Sequence, residues 1–134
     1  MFGWLKPRPT LTLDALLQQT QHALQTRALG ELGATHRFVH CLMELDGAVR
    51  SHGFAHYFTL QPAVLAWGAC ISGLQTIGQP EAAQLVNEAV RAHMDAPEEP
   101  AVCEPYTNAY RAQALDMHAA LSRYLARHRI AGLA

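Results

Sequence analysis

Apolar residues along this chain recur at intervals of three and four, the period of helices, rather than two, the period of strands. Leu13, Leu17 and Leu24 form a first stripe, Thr10 or Thr12 offers a capping oxygen, and Gly30 follows, so the pattern predicts a helix to about Leu29. Phe38, Leu42, Leu45 and Val49 form a second stripe, predicting a helix from Thr35, as cap, to about Ser51. Gly53 then stands where a left-handed C-terminal cap is least strained.

A short turn bearing Phe54, Tyr57 and Phe58 leads to Pro62, which fits the first position of a further helix. That segment, residues 62–77, carries Val64, Trp67, Ile71 and Leu74 on one face and Leu65, Ala66, Ala69 and Cys70 on the others. It is therefore expected to be the central, buried helix. Pro80 opens the next, striped by Ala82, Leu85, Val86, Ala89, Val90 and His93. The run from Asp95 to Pro105 holds three prolines and four acids and reads as an exposed acidic connection. A last helix is expected from about Thr107 to Arg129, buried through Tyr110, Ala114, Met117, Leu121 and Tyr124. The expected fold is all-α, with five or six helices in a single domain over residues 11–134, behind an extended lead-in at residues 1–10 that contains Pro7 and Pro9.

Composition narrows the functional classes. At 134 residues the chain can bury one real core, and at 50% hydrophobic and 16% charged it is apolar enough that a homodimer is plausible. Ten basic against eleven acidic residues leave a net charge of -1, so no broad basic face for direct nucleic-acid binding is expected. Cys41, Cys70 and Cys103 are odd in number and lack a Cys-x-x-Cys pair, which points away from a disulfide framework and toward a reducing cytoplasm. The start lacks the apolar core of a secretory signal, and the most apolar later run is of buried-helix length, so no membrane association is expected.

Candidate chemistry is sparse. His36 with His40, and His52 with His56, have the i, i+4 spacing of helical metal ligands. His52 and His56 straddle Gly53, however, and so are not expected to share a helical face, while His36 and His40 lack an assured third ligand. Cys41 neighbours His40 in sequence, but adjacent helical residues point about 100 degrees apart. No phosphate loop, Ser-His-Asp arrangement or zincin pattern is present. Arg123, Arg127 and Arg129 cluster around Tyr124, where a helix C-terminus favours cations without any ligand. No catalytic residue, cofactor or metal is assigned.

One stretch resembles a known family. Gly53-Phe54-Ala55-His56-Tyr57-Phe58, followed by Leu74-Gln75-Thr76-Ile77-Gly78 and then Ala82, Ala83 and Leu85, is similar in order and spacing to the middle motif of the bacterial DNA mimic protein nineteen-like family. The likeness spans roughly residues 42–94. Arg50 and Ser51 stand where that family usually has asparagines, His52 replaces its first glycine, and His56 its glutamine. The resemblance implies an all-helical fold with no cofactor and no catalysis, frequent dimers, and, in the DNA-mimic type of member, carboxylates that occupy a DNA-binding regulator.

Together these features lead to an expectation of a cytoplasmic, non-enzymatic module that binds and blocks a protein partner, either a DNA-binding regulator or a toxin whose immunity protein this would be. The contact candidates are Arg50, His52 and His56 at the turn, with Asp95, Glu98, Glu99 and Glu104 in the acidic connection. Gly53, Phe54, Tyr57, Phe58, Trp67, Leu74, Ile77 and Gly78 form the structural motif. A metal-binding or hydrolytic role for the histidines stands as the further alternative.

Overall fold

The structure, a computed structural model, describes residues 11–128. The lead-in expected over residues 1–10, the alternative cap Thr10 and Arg129 lie outside the described residues. Those described form seven α-helices and no strand: α1 (Leu13–Ala23), α2 (Ala34–His52), α3 (Phe54–Leu60), α4 (Val64–Thr76), α5 (Pro80–Asp95), α6 (Glu104–Ala112) and α7 (Met117–His128). Short 3-10 turns at Leu29–Glu31 and Pro100–Cys103 fill two of the connections.

Seven helices replace the expected five or six for two local reasons. The turn after Gly53 is itself a helix, α3, and the single C-terminal helix is broken. Gln113 adopts an extended conformation after α6, and Asp116 caps α7 by accepting the Ala119 N–H at 3.0 Å. Ala114 consequently faces solvent instead of the core.

α1 is shorter than its stripe implied. Thr12 caps it through the Ala15 N–H, and it buries Leu13, Leu16, Thr20 and Ala23, leaving Leu17 and Leu24 half-buried. The chain beyond is pinned by Arg37, whose guanidinium donates to the carbonyls of Leu29, Gly30 and Leu32. α2 begins after Gly33, not at a Thr35 cap, and buries Phe38, Leu42, Leu45 and Val49 as the spacing required.

The centre of the fold is α2, which packs against α1, α3, α4, α6 and α7. The expectation that residues 62–77 would be central is corrected here. Pro62 precedes α4, and α4 buries a single face of Ala66, Trp67, Cys70, Gly73 and Leu74 against α2 and α5 while Val64 and Leu65 stay exposed. Uniform hydrophobicity concealed which face was covered. The largest fully buried side chains are Tyr57, Tyr110, Phe54 and Phe58, so the aromatic motif is core. No helix among the described residues is long and apolar enough to cross a membrane.

Candidate interaction surface

The α2–α3 corner is built around Gly53, whose φ of 95° and ψ of 170° lie in backbone space that side chains disfavour. Its N–H closes α2 on the carbonyls of Ala48 and Val49. The next donor, the Phe54 N–H, is buried and finds the Thr107 hydroxyl of α6 at 3.0 Å. Phe54 packs edge-on against Tyr110, with ring centroids 5.7 Å apart.

Arg50 is not a loose surface side chain. Its guanidinium bonds Asp46 at 3.0 Å and the Leu115 carbonyl at 2.7 Å, and it lies over the Tyr110 ring. The Tyr110 hydroxyl donates to the same Asp46 oxygen at 2.7 Å. Burial, and then that carboxylate, push the phenol far above its ordinary range, so it stays a neutral donor. Asp46 therefore ties α2 to α6, and Arg50 ties α2 to the break before α7. The i, i+4 spacing of Asp46 and Arg50 was a readable signal for the pair, whereas nothing local pointed to Tyr110 or Thr107.

His52 and His56 remain exposed and lie on different helices, α2 and α3, so they share no helical face, as the intervening Gly53 implied. The corner brings their rings together across Gly53, with centroids 4.6 Å apart and planes inclined by 49°. His52 also lines a shallow groove of about 340 Å³ with Glu104, Asn108 and Arg111. Two of the sequence candidates from separate segments, His52 and Glu104, thus share one surface. By contrast, His36 and His40 are split, with His36 buried and His40 half-buried on the α1–α2 groove.

The remaining acids lie elsewhere. Asp95 ends α5 and Glu98 and Glu99 follow it, all exposed and without an ion-pair partner among the described residues. Just before them in the chain, His93 stacks on Phe58 at 4.5 Å, and Trp67 meets both rings edge-on, joining the ends of α3, α4 and α5. Trp67 is fixed further by its Nε1–H, which donates to the Gln61 carbonyl at 2.7 Å. Adjacent to this trio along the chain are three exposed apolar side chains, Leu60, Val64 and Met94, at 58%, 64% and 60% exposure. Sequence reasoning missed Leu60 and Met94 and placed Val64 in the core. Leu65 leans the other way, toward Gly30.

Reactive groups are withdrawn from solvent. Cys41, Cys70 and Cys103 are buried free thiols; burial pushes Cys70 well up, and the Tyr57 hydroxyl, 3.7 Å from its sulfur, is raised by the same cause. Arg123, Arg127 and His128 line a cleft of about 150 Å³ against Thr76, Ile77 and Gly78, at the negative C-terminal end of α4. That placement accounts for the cations without a bound phosphate. No cluster of three or more metal-ligating side chains exists among the described residues.

No curated protein and no solved structure matches the chain. The family model described as DMP19-like protein matches residues 30–128, which runs from within the first 3-10 turn through α7 and includes the Gly53 corner with its buried aromatic anchors. The chain therefore belongs to the DMP19-like protein family.

Proposed function

We propose that this chain is a non-enzymatic interaction module of the cytoplasm that binds and blocks a protein partner. One observation carries the reading: Leu60, Val64 and Met94 are exposed where α3, α4 and α5 converge, close in the chain to the unpaired carboxylates of Asp95, Glu98 and Glu99. Large apolar side chains in water are unfavourable, and grouped with charge at a rim they have the anatomy of a contact centre. A partner presenting an apolar side chain flanked by lysine or arginine complements this end of the bundle. His52, His56 and Glu104 at the neighbouring corner extend the contact area toward the roughly 800 Å² per partner that stable complexes bury.

The partner is taken to be a DNA-binding regulator, with a toxin as the second reading. The net charge of -1 favours a local contact over imitation of a phosphate array along the whole surface. The deciding experiment mixes the purified chain with candidate partners encoded beside its gene and follows complex formation by size exclusion. For a DNA-binding candidate, release from its operator is read as a function of salt. Complex formation should be lost in Leu60→Ser with Met94→Ser and weakened in Glu98→Lys with Glu99→Lys. Turnover of a substrate that disappears in a folded His56→Ala variant would sink the non-enzymatic reading.

A further inference from the structure

We infer that His52 and His56 form an open two-histidine clip for a borderline divalent cation such as Cu²⁺, Ni²⁺ or Zn²⁺. The inference rests on the corner geometry and is independent of the partner reading above. An i, i+4 pair ordinarily meets on one face of one helix. Here the residues belong to two helices, yet the ring centroids are 4.6 Å apart, because the Gly53 conformation turns α3 back onto the end of α2.

The corner that sets this spacing is held from both sides. Gly53 closes α2 through Ala48 and Val49, Phe54 is fully buried, and its N–H is bonded to Thr107. The two imidazoles are exposed, and neither has a hydrogen bond or ion pair among the described residues, so no existing bond must break before they ligate. Metal–imidazole bonds of about 2.0–2.1 Å place two neighbouring ligand nitrogens about 3 Å apart. Rings at the observed separation reach that spacing by side-chain rotation, with the backbone fixed.

Imidazole selects copper, nickel and zinc over magnesium and calcium, which demand oxygen ligands. No third metal-ligating side chain joins the pair among the described residues, so the remaining coordination positions are open to water or to a side chain of another molecule. Such a site exchanges its metal readily and differs from the closed, four-ligand sites that hold a fold together.

Cu²⁺ is the probe, since it binds nitrogen sites most tightly of the divalent series and its resonance spectrum reports the nitrogens bound to it. The metal-free full chain should bind one equivalent in calorimetry at neutral pH, with nitrogen coupling from two imidazoles in the paramagnetic resonance spectrum. His52→Gln and His56→Gln should each lower the affinity by at least about tenfold, because the second ligand no longer acts intramolecularly. His118→Gln, at an exposed position on α7, should leave both readouts unchanged. Circular dichroism verifies that each variant is folded. Absence of saturable binding by the parent, equal affinity in the parent and the two corner variants, or an equal loss in His118→Gln overturns the inference.

Discussion

Gly73 and Phe38 mark a close approach of α4 to α2: a Cβ on Gly73 would lie 2.7 Å from the Phe38 Cβ and 2.9 Å from its ring. Because the nearest atom is a Cβ, rotating the Phe38 ring cannot relieve the overlap, and the ring is already packed edge-on against Tyr124 at 5.5 Å. Gly73→Ala should therefore destabilise by about 1–2 kcal/mol, the overpacking outweighing alanine's helix preference of about 1 kcal/mol. Gly68 is the internal control, since it lies on the same helix with nothing within 4 Å of its added Cβ. Gly68→Ala should stabilise by roughly 0.5–1 kcal/mol. A urea midpoint that rises for Gly73→Ala as it does for Gly68→Ala would mean that the crossing is looser than described.

The bond from the Phe54 N–H to Thr107 predicts a second asymmetry. Thr107→Val keeps the shape but leaves a buried donor unpaired, at a cost of about 1–3 kcal/mol, whereas Thr107→Ser keeps the acceptor and should recover much of the loss. Gly53→Ala strains the same corner differently. Its φ of 95° is unfavourable for alanine by about 1–3 kcal/mol, and the new Cβ would approach the Thr107 hydroxyl at 3.3 Å. Chemical denaturation of the three variants orders them, and Thr107→Ser as damaging as Thr107→Val would remove the hydroxyl from the account.

These two contacts show how much of the fold is legible in the sequence. Periodicity located Phe38, Leu42, Leu45 and Val49 on the buried side of α2, and the Gly53 motif identified Phe54, Tyr57 and Phe58 as anchors. Both signals are local. Gly73 read only as part of an apolar run, because the reason for a missing side chain was a residue 35 positions earlier in the chain. The hydrophobic run through α4 likewise says that the helix is apolar but not which face meets α2, so the pattern puts Val64 in the core although it lies in solvent. The glycine between His52 and His56 reads correctly as a helix break, whereas the proximity of their rings depends on the ψ as well as the φ adopted there. The acidic run is visible as charge, while the exposure of Leu60 and Met94 depends on how α3 and α5 pack.

Trp67 tests whether the α3, α4 and α5 ends depend on one side chain. It is 5% exposed, touches the rings of Phe58 and His93, and donates to the Gln61 carbonyl. Trp67→Ala should cost about 3–5 kcal/mol from the cavity it leaves. Trp67→Phe retains most of the apolar contact and should cost less, its deficit reflecting the lost N–H donor. A near-neutral Trp67→Ala in denaturant titration would show that this end is not held by the indole.

Stability should also depend on pH through His36. The side chain is 6% exposed, its Nε2 has no hydrogen-bond partner, and burial lowers its pKa from the ordinary value of 6.5. The folded state therefore resists a proton that the unfolded chain accepts. As pH falls below about 6.5 the unfolded state binds more protons, and the stability contributed by a neutral His36 is progressively lost, at up to about 1.4 kcal/mol per pH unit. Above that range this group adds no slope. His36→Leu removes both the proton site and the unpaired nitrogen, so its advantage over the parent should be larger at pH 5.5 than at pH 7.5. The other seven histidines are common to both proteins and largely cancel in that comparison. Urea unfolding at the two pH values provides the measurement, and parallel declines in parent and variant would place the acid sensitivity on another group.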